Sequence, residues 1–205
     1  MKRLKRFLKW SVGLATILIL AVIVLYFYSI HRRTEFHVTP DLISRAEQLR
    51  AESDSLPKLF YVLFDISSPN GTTNSPNLRL IKMILGSENE GCSCRELARL
   101  FVSHQNVGAL GYGLNYNAIG TFLHDKYNGK ICLDMLMNRY DFVNGQVGVE
   151  NAALFYFNKS IDKLSTLEIA TLVVMTENPA LYNPIRRPEL VEEEAKKLME
   201  KYKKD

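Results

Sequence analysis

The stretch that decides the fold is CLDMLMNRYDFVNGQVGVENAALFYFNKS, residues 132–160, followed three residues later by LSTLEIATLVVMTENPALYNP, residues 164–184. In the second part, Ser165 and Glu168 have the spacing of a capping box, which opens many helices. The residues from Leu167 to Met175 are apolar on nearly every side. A helix without a polar face belongs in a protein core. The pattern therefore predicts a buried central helix with a helical domain around it.

Helical signals also dominate the segments on either side of this stretch. Thr39 and Pro40 are typical of the first positions of a helix. Apolar residues then recur at helical spacing in three segments: Leu42, Ala46 and Leu49; Leu97, Leu100 and Phe101; and Val191, Ala195, Leu198, Met199 and Tyr202. Residues 67–77 and 107–120 are rich in turn-forming residues and predict two long loops. The predicted fold class is mostly α, with a single domain and a final helix from Pro188 to about Lys203.

An uncharged stretch from Ser11 to Ile30 precedes this domain. Twenty helical residues span about 30 Å, enough to cross the core of a bilayer. Five Lys and Arg residues precede the stretch and Arg32 and Arg33 follow it, which predicts a single pass with the N-terminus in the cytoplasm. A cleaved signal peptide is the alternative, but the apolar run is longer than a signal core and no small-residue cleavage site follows it. The predicted organisation is a basic tail (1–10), a transmembrane helix (11–30) and an extracytoplasmic domain (34–205).

Charge and cysteine usage exclude two further classes of protein. Residues 1–33 hold seven of the 26 basic residues and no acid, so the remaining 172 residues carry a formal charge of −3. Nucleic-acid binding is therefore not expected. Cys92 and Cys94 are too close for an easy mutual disulfide, and Cys132 is interpreted as a core residue. We expect neither a disulfide framework nor a metal site.

The two quoted stretches resemble, in the same order, the runs ILELYLN…G…GVEAAA…YFGKS and LTLAEAA of the family 51 glycosyltransferases. These are the peptidoglycan transglycosylase domains of penicillin-binding proteins and of monofunctional transglycosylases. An ordered series of matches over about sixty residues is far more specific than any single motif. The resemblance implies a lysozyme-like helical domain that polymerises lipid II. It also implies one glutamate as general base, and a second that helps the pyrophosphate leave together with basic residues and a divalent cation.

Upstream of the quoted stretches, the family's acidic residues are missing. Ser67 stands at the position of the general base and Tyr116 at that of the second glutamate, and the phosphate-binding cations of these motifs are also absent. Asp65 and Glu96 are the nearest acids and the fallback candidates for a displaced carboxylate. A serine cannot replace the base without an activating neighbour. We therefore expect a catalytically degenerate domain, with no catalytic residue, metal or cofactor assigned; a divalent cation enters only if the domain is active.

Seven further residues match the family's motifs. Gly145 and Gly148 are expected to permit a turn. Glu150 is favoured near the start of its helix by the helix dipole. Lys159 is expected to be solvated or to face the groove for the acceptor sugar. The remaining three are expected to pack or form hydrogen bonds within the fold: Asn138, Tyr156 and Phe157.

Two functions from different classes follow from this sequence. The first is a membrane-anchored scaffold, or a weak binder of glycan strands or lipid II, that docks on cell-wall synthesis proteins at the bacterial cytoplasmic membrane. The alternative is a divergent but active lipid II-polymerising transglycosylase that uses a displaced carboxylate. An acid facing another acid across a wide groove favours the enzyme, whereas an apolar or closed groove favours the scaffold.

Overall fold

The computed structural model describes residues 2–86, 90–102 and 108–204. Within these ranges there is no strand, and Asp141 and Val147 form an isolated antiparallel bridge. The helices are α1 (Lys2–His37), α2 (Pro40–Ala51), α3 (Lys58–Ser67), α4 (Pro76–Ile84), α5 (Ser93–Ala98), α6 (Ala109–Arg139), α7 (Val149–Phe157), α8 (Thr166–Glu177) and α9 (Pro188–Tyr202), with one 3-10 turn at Ile161–Lys163. The prediction of a mostly α fold is confirmed.

Helix α8 forms the centre of the first core. Its residues from Ile169 to Met175 are all buried. The capping box closes its N-terminus, because Glu168 N donates to Ser165 Oγ and Ser165 N donates to Glu168 Oε2. Helices α3 and α9 pack against it and contribute Phe60, Leu63, Ala195 and Leu198 to the same core. The predicted central helix is therefore present and buried.

A second core lies between α2, α5 and α6. The α2 stripe of Leu42, Ala46 and Leu49 is buried as predicted, and Thr39 Oγ1 accepts a hydrogen bond from Leu42 N at 3.2 Å. The next predicted stripe is only partly correct. Leu97 is buried, but Leu100 is exposed because α5 ends at Ala98.

Cys94 and Cys132 form a disulfide that joins α5 to α6, and Cys92 is a free, buried thiol. The sequence did not predict this disulfide, and the interpretation of Cys132 as simple core filling was wrong because its sulfur is bonded to Cys94. The two cysteines are 38 residues apart in sequence, and the packing of α5 on α6 brings their Cα atoms to 4.9 Å. Sequence spacing alone does not reveal this proximity.

Helix α6 replaces most of the second predicted loop. The glycine-rich segment 107–120 was expected to be irregular, yet α6 begins at Ala109 and runs to Arg139 with a kink at Asn128 (φ 58°). Glycine costs about 1 kcal/mol in a helix, and tertiary packing outweighs that cost here. A Cβ on Gly120 would lie 3.0 Å from the Cα of Arg95, so glycine at this position permits the close approach of α5. The first predicted loop is confirmed between Ser68 and Ser75.

Helix α1 extends beyond both ends of the predicted membrane span. Its segment from Lys9 to His37 is long and apolar enough to cross a membrane. The C-terminal part of α1 docks on the rest of the fold, where Ile30 is buried. Arg33 Nη1 donates to Asn115 Oδ1 at 2.5 Å, and Asn117 Nδ2 donates to the Tyr26 hydroxyl at 3.1 Å. The apolar helix and the domain are thus joined by a continuous helix and by polar contacts to α6.

Candidate functional site

A cleft of about 860 Å³ opens between the C-terminal ends of α3 and α8, the wall formed by α4 and α5, and the end of α6. This volume is in the range of small-molecule binding sites. Its lining includes three arginines and four acids: Arg79, Arg99, Arg139, Glu90, Glu96, Asp141 and Glu177. The cleft also contains Ser67. It is neither closed nor purely apolar.

Ser67 contacts an acid that the sequence comparison did not identify. Its hydroxyl donates a hydrogen bond to Oε1 of Glu177, the last residue of α8, across a sequence separation of 110 residues. A carboxylate at the C-terminal end of a helix is disfavoured by the helix dipole. An acidic residue at the end of a predicted helix is therefore unusual, and this is the one feature of the sequence that could have identified Glu177 as a candidate. The structure therefore places a carboxylate beside Ser67, the residue that the resemblance assigned to the position of the general base.

The fallback acid Asp65 is engaged in the loop after α3. Its Oδ1 accepts from Thr72 N at 2.7 Å, and its Oδ2 accepts from the Thr72 hydroxyl. Thr72 is itself buried, and Asp65 is not part of the cleft lining. Through these contacts Asp65 stabilises the loop between α3 and α4, so its role is structural.

The other fallback acid, Glu96, lies in the cleft but is neutralised by its neighbours. Its carboxylate forms ion pairs with Arg95 at 3.3 Å and with Arg99 at 3.0 Å. The guanidinium groups of both arginines lie over the ring of Tyr116, at 5.8 and 5.7 Å from its centroid. Tyr116, which the resemblance assigned to the position of the second glutamate, thus contacts two cations through its ring.

The cleft contains cations that the motif comparison did not anticipate. Arg79 Nε donates to the backbone oxygen of Glu90 at 2.6 Å, and burial lowers the pKa of the Arg79 guanidinium. Glu90 pairs with Lys82 at 3.2 Å, and the pKa of its carboxyl is lowered chiefly by the hydrogen bond from Asn74. The third cleft arginine, Arg139, pairs with Glu52 at 2.5 Å. The cleft therefore contains three arginines that the motif comparison did not assign to phosphate binding.

Asp134 is a buried acid outside the cleft that the sequence reasoning missed. Its Oδ1 accepts from the Tyr61 hydroxyl at 2.5 Å and from Leu56 N at 3.2 Å. Burial raises the pKa of the Asp134 carboxyl. These bonds fasten the segment before α3 to α6, so the role of Asp134 is structural.

The turn before α7 contains the two motif glycines, and both have positive φ. Gly145 has φ 77° and Gly148 has φ 90°, a region that favours glycine. A Cβ on Gly148 would also lie 3.0 Å from the backbone oxygen of Asn138. The Tyr156 hydroxyl donates to Phe142 O at 2.8 Å and so closes the same turn.

The remaining motif residues also contact the protein itself. Glu150 accepts from Ile161 N at 3.0 Å, and Lys159 Nζ binds both oxygens of Glu168 at 2.8 and 3.0 Å. Phe157 packs against the first core. None of the seven motif residues lines the cleft. Their positions agree with structural roles, and Lys159 does not reach the cleft.

The described residues do not fit a divalent cation. Within residues 2–86, 90–102 and 108–204, no group of three or more His, Cys, Asp or Glu side chains could hold a metal ion. In the cleft, Glu90 and Glu96 are already paired with cations, and Glu177 accepts from Ser67. We therefore assign no step to a metal.

Comparison with known proteins gives a match to one family model and to several relatives. The model of the transglycosylase family matches residues 117–203. Penicillin-binding protein 4 of Bacillus subtilis is 33% identical over 93 residues, which are 45% of this chain and 15% of that protein. Penicillin-binding protein 2a of Streptococcus pneumoniae is 40% identical over 67 residues, 33% of this chain and 9% of that protein.

A shorter relative also matches this chain over only part of its length. The biosynthetic peptidoglycan transglycosylase of Haemophilus influenzae is 38% identical over 65 residues, 32% of this chain and 27% of that protein. The chain thus matches between 9% and 27% of the length of these three relatives. Ser67 and Tyr116 both lie outside the matched segment 117–203.

Proposed function

We propose that the protein is a membrane-anchored cell-wall protein whose cleft binds lipid-linked glycan weakly without polymerising it. The match of residues 117–203 to the model of the transglycosylase family supports this proposal. The observation that carries this proposal is the environment of the two family glutamate positions. The resemblance assigns these positions to Ser67, which donates to Glu177, and to Tyr116, which lies under Arg95 and Arg99. Its partners would then be the membrane, the glycan and other cell-wall synthesis proteins.

Anchoring and binding each have separate support. The apolar segment Lys9–His37 is long enough to cross a bilayer, and the relatives named above are penicillin-binding proteins and a peptidoglycan transglycosylase. The arginines of the cleft offer charge-assisted hydrogen bonds to an anionic diphosphate. The four acids beside them reduce that attraction. We therefore expect weak binding that decreases further as salt is added.

The first prediction is that the purified full-length protein does not polymerise lipid II. A general base typically contributes about 10²- to 10⁴-fold to the rate, and electrostatic help to the leaving group contributes a further factor of about 10² to 10³. Loss of both leaves turnover below detection. The variant Ser67→Glu should also be inactive, because it restores only one of the two positions. Polymer gels and anisotropy of a fluorescent lipid II, measured on the same preparation, test this prediction.

Two variants test whether lipid II binds in the cleft. Arg99→Ala removes a guanidinium from the cleft and should weaken lipid II binding several-fold, while Lys201→Ala removes an exposed cation at the end of α9 and should leave it unchanged. Equal binding by both variants, or no measurable binding by the unmodified protein, would show that the cleft is not the binding site.

The second candidate function, a divergent active transglycosylase, is favoured by one observation. Glu177 lies beside Ser67, where the family's base belongs, and could accept a proton in its place. In that case the unmodified protein makes polymer, and Glu177→Gln abolishes it with little change in binding. Glu96→Gln tests the fallback acid that lies in the cleft, and Asp65→Asn serves as the control because Asp65 lies outside the cleft. Polymer synthesis lost in Glu177→Gln and retained in Asp65→Asn would replace the first proposal by the second.

A further inference from the structure

A smaller pocket, which we call the annex, opens beside the cleft where α6 ends. Its volume is about 410 Å³, and the described residues that line it come from α2, the segment after α5 and the end of α6: Arg45, Gln48, Leu49, Leu100, Phe101 and Arg139. Leu100 and Arg139 also line the cleft, so the two cavities adjoin at these side chains. A branched ligand in the cleft can therefore reach the annex with one of its parts.

The charge of the annex differs from that of the cleft. The cleft lining has three arginines and four acids, whereas the described lining of the annex has two arginines, one amide and no acid. Asp41 and Glu52 each pair with one of these arginines, but neither acid belongs to the described lining. The annex is therefore better suited than the cleft to a negatively charged group.

Arg45 has hydrogen-bond donors to offer to such a group. Its guanidinium lies over the ring of Phe101, at 5.5 Å from the centroid, and its Nη2 donates to Leu100 O at 3.4 Å. Asp41 approaches only to 3.8 Å and its side chain is 78% exposed, so solvent weakens this ion pair. A guanidinium has five N–H donors in a flat fork. Among the described residues, Phe101 thus holds the Arg45 guanidinium in place while most of its donors stay available.

Arg139 is the second cation of the annex. Its Nη2 pairs with Oε2 of Glu52 at 2.5 Å, and the other oxygen of Glu52 accepts from Gln48 Nε2 at 2.8 Å. These bonds fix the Arg139 guanidinium where the cleft and the annex adjoin. A guanidinium that pairs through one amino group keeps its other N–H groups for a second acceptor. Arg139 can therefore bind a ligand together with Arg45.

The rest of the lining indicates which kind of anion fits. Leu49, Leu100 and Phe101 give the annex an apolar wall. The small apolar side chains of a peptide gain free energy by contact with such a wall, whereas a diphosphate, which is covered by charged oxygens, does not. Arginine forks also bind planar carboxylates through two parallel hydrogen bonds. A carboxylate on a short apolar peptide therefore matches the annex better than a diphosphate does.

From this arrangement we propose that the annex binds the free carboxylate of a short peptide attached to the glycan in the cleft, with Arg45 and Arg139 as the donors. Lipid II carries a peptide of this kind. The inference rests on the proposed function, and it makes the peptide a second determinant of binding beside the glycan and its diphosphate. Arg45 then distinguishes glycan units that carry a peptide from units that do not.

Binding of two fluorescent ligands to the full-length protein in detergent tests the inference. One ligand is lipid II with its peptide, and the other is the same lipid-linked disaccharide diphosphate without the peptide. Arg45→Gln removes a charge from the annex alone, because Arg45 does not line the cleft. Arg186→Gln is the matched control, since Arg186 is an exposed arginine before α9 that lines neither cavity. Arg99→Ala removes a charge from the cleft alone.

We expect the unmodified protein to bind lipid II more tightly than the peptide-free ligand. Arg45→Gln should weaken lipid II binding about 3- to 10-fold, the effect of losing a partly exposed, charge-assisted hydrogen bond, and should leave the peptide-free ligand unaffected. Arg99→Ala should weaken both ligands, and Arg186→Gln neither.

Three results would overturn the inference while the proposed function stands. The first is equal binding of the two ligands by the unmodified protein, a comparison that does not depend on whether any variant folds. The second is an equal loss of both ligands in Arg45→Gln, which would assign the annex to the diphosphate. The third is no loss of lipid II binding in Arg45→Gln. If the unmodified protein binds neither ligand, the proposed function and this inference fail together.

Discussion

At the start of α8, three polar side chains share one set of hydrogen bonds. Lys159 Nζ contacts both oxygens of Glu168, whose Oε2 also accepts from Ser165 N. The hydrogen bond from Lys159 is the largest influence and lowers the pKa of the Glu168 carboxyl, and the hydrogen bond from the Ser165 backbone lowers it further. A carboxyl with a depressed folded-state pKa adds stability that is present above its unfolded pKa and is lost as the pH falls through the folded value.

The second prediction follows from the lowered pKa of the Glu168 carboxyl. Glu168→Gln keeps a side-chain acceptor but removes the charge, so it should lower the free energy of unfolding by about 1 kcal/mol at pH 7. The difference from the unmodified protein should shrink as the pH falls below about 4.5, the ordinary value for Glu. Urea unfolding followed by circular dichroism across this range measures it. Lys159→Met should show a similar trend, and the double variant should lose less than the sum of the two. A difference that stays constant with pH would contradict the assignment.

Predictability at this scale depends on how far apart the interacting residues are in sequence. The capping box of Ser165 and Glu168 is local, and the sequence predicts it correctly. Asp65 and Glu177 illustrate the opposite case. Proximity in sequence to Ser67 pointed to Asp65, which binds Thr72 instead, while Glu177 reaches Ser67 from 110 residues away. Spacing does not contain that information because the contact is made by the packing of α3 on α8.

At the scale of elements, α6 shows why glycine content alone misleads. Glycine lowers helix propensity, so the segment 107–120 was predicted to be a loop, but packing against α1 and α5 holds it in a helix. Its glycines differ in what surrounds them. A Cβ on Gly129, just after the kink, would lie 2.0 Å from Thr72 O, whereas a Cβ on Gly113 would meet no atom within 4 Å.

The third prediction uses this pair of glycines. Gly129→Ala should destabilise the protein by about 3 kcal/mol, because the new methyl group meets backbone atoms that cannot turn aside. Gly113→Ala is the matched control in the same helix and should stabilise it by about 0.5–1 kcal/mol, since alanine loses less conformational entropy. Thermal unfolding of the two variants in detergent gives the comparison. Equal melting temperatures would mean that the approach of Thr72 to α6 is not as close as described.

The disulfide and the position of the apolar segment both concern the molecule as a whole. Disulfides persist in oxidising compartments and are rare in the cytoplasm. The Cys94–Cys132 bond joins two helices of the domain that follows α1. An extracytoplasmic domain would therefore agree with this bond as well as with the distribution of Lys and Arg around residues 11–30. The sequence predicted the membrane segment from length and composition alone, but it could not predict the disulfide.

The fourth prediction concerns topology. Alkaline phosphatase folds only after export, so its fusion after Asp205 should be active, while a fusion of a fluorescent protein that folds only in the cytoplasm should be dark. The matched control places the same reporters before Lys9, where the result should be reversed. In the exported protein, blocking of thiols under denaturing conditions should modify Cys92 alone, and reduction should then release the thiols of Cys94 and Cys132. Cytoplasmic fluorescence of the Asp205 fusion together with three free thiols would place the domain on the other side of the membrane, because the positive-inside rule and the disulfide would then both have failed.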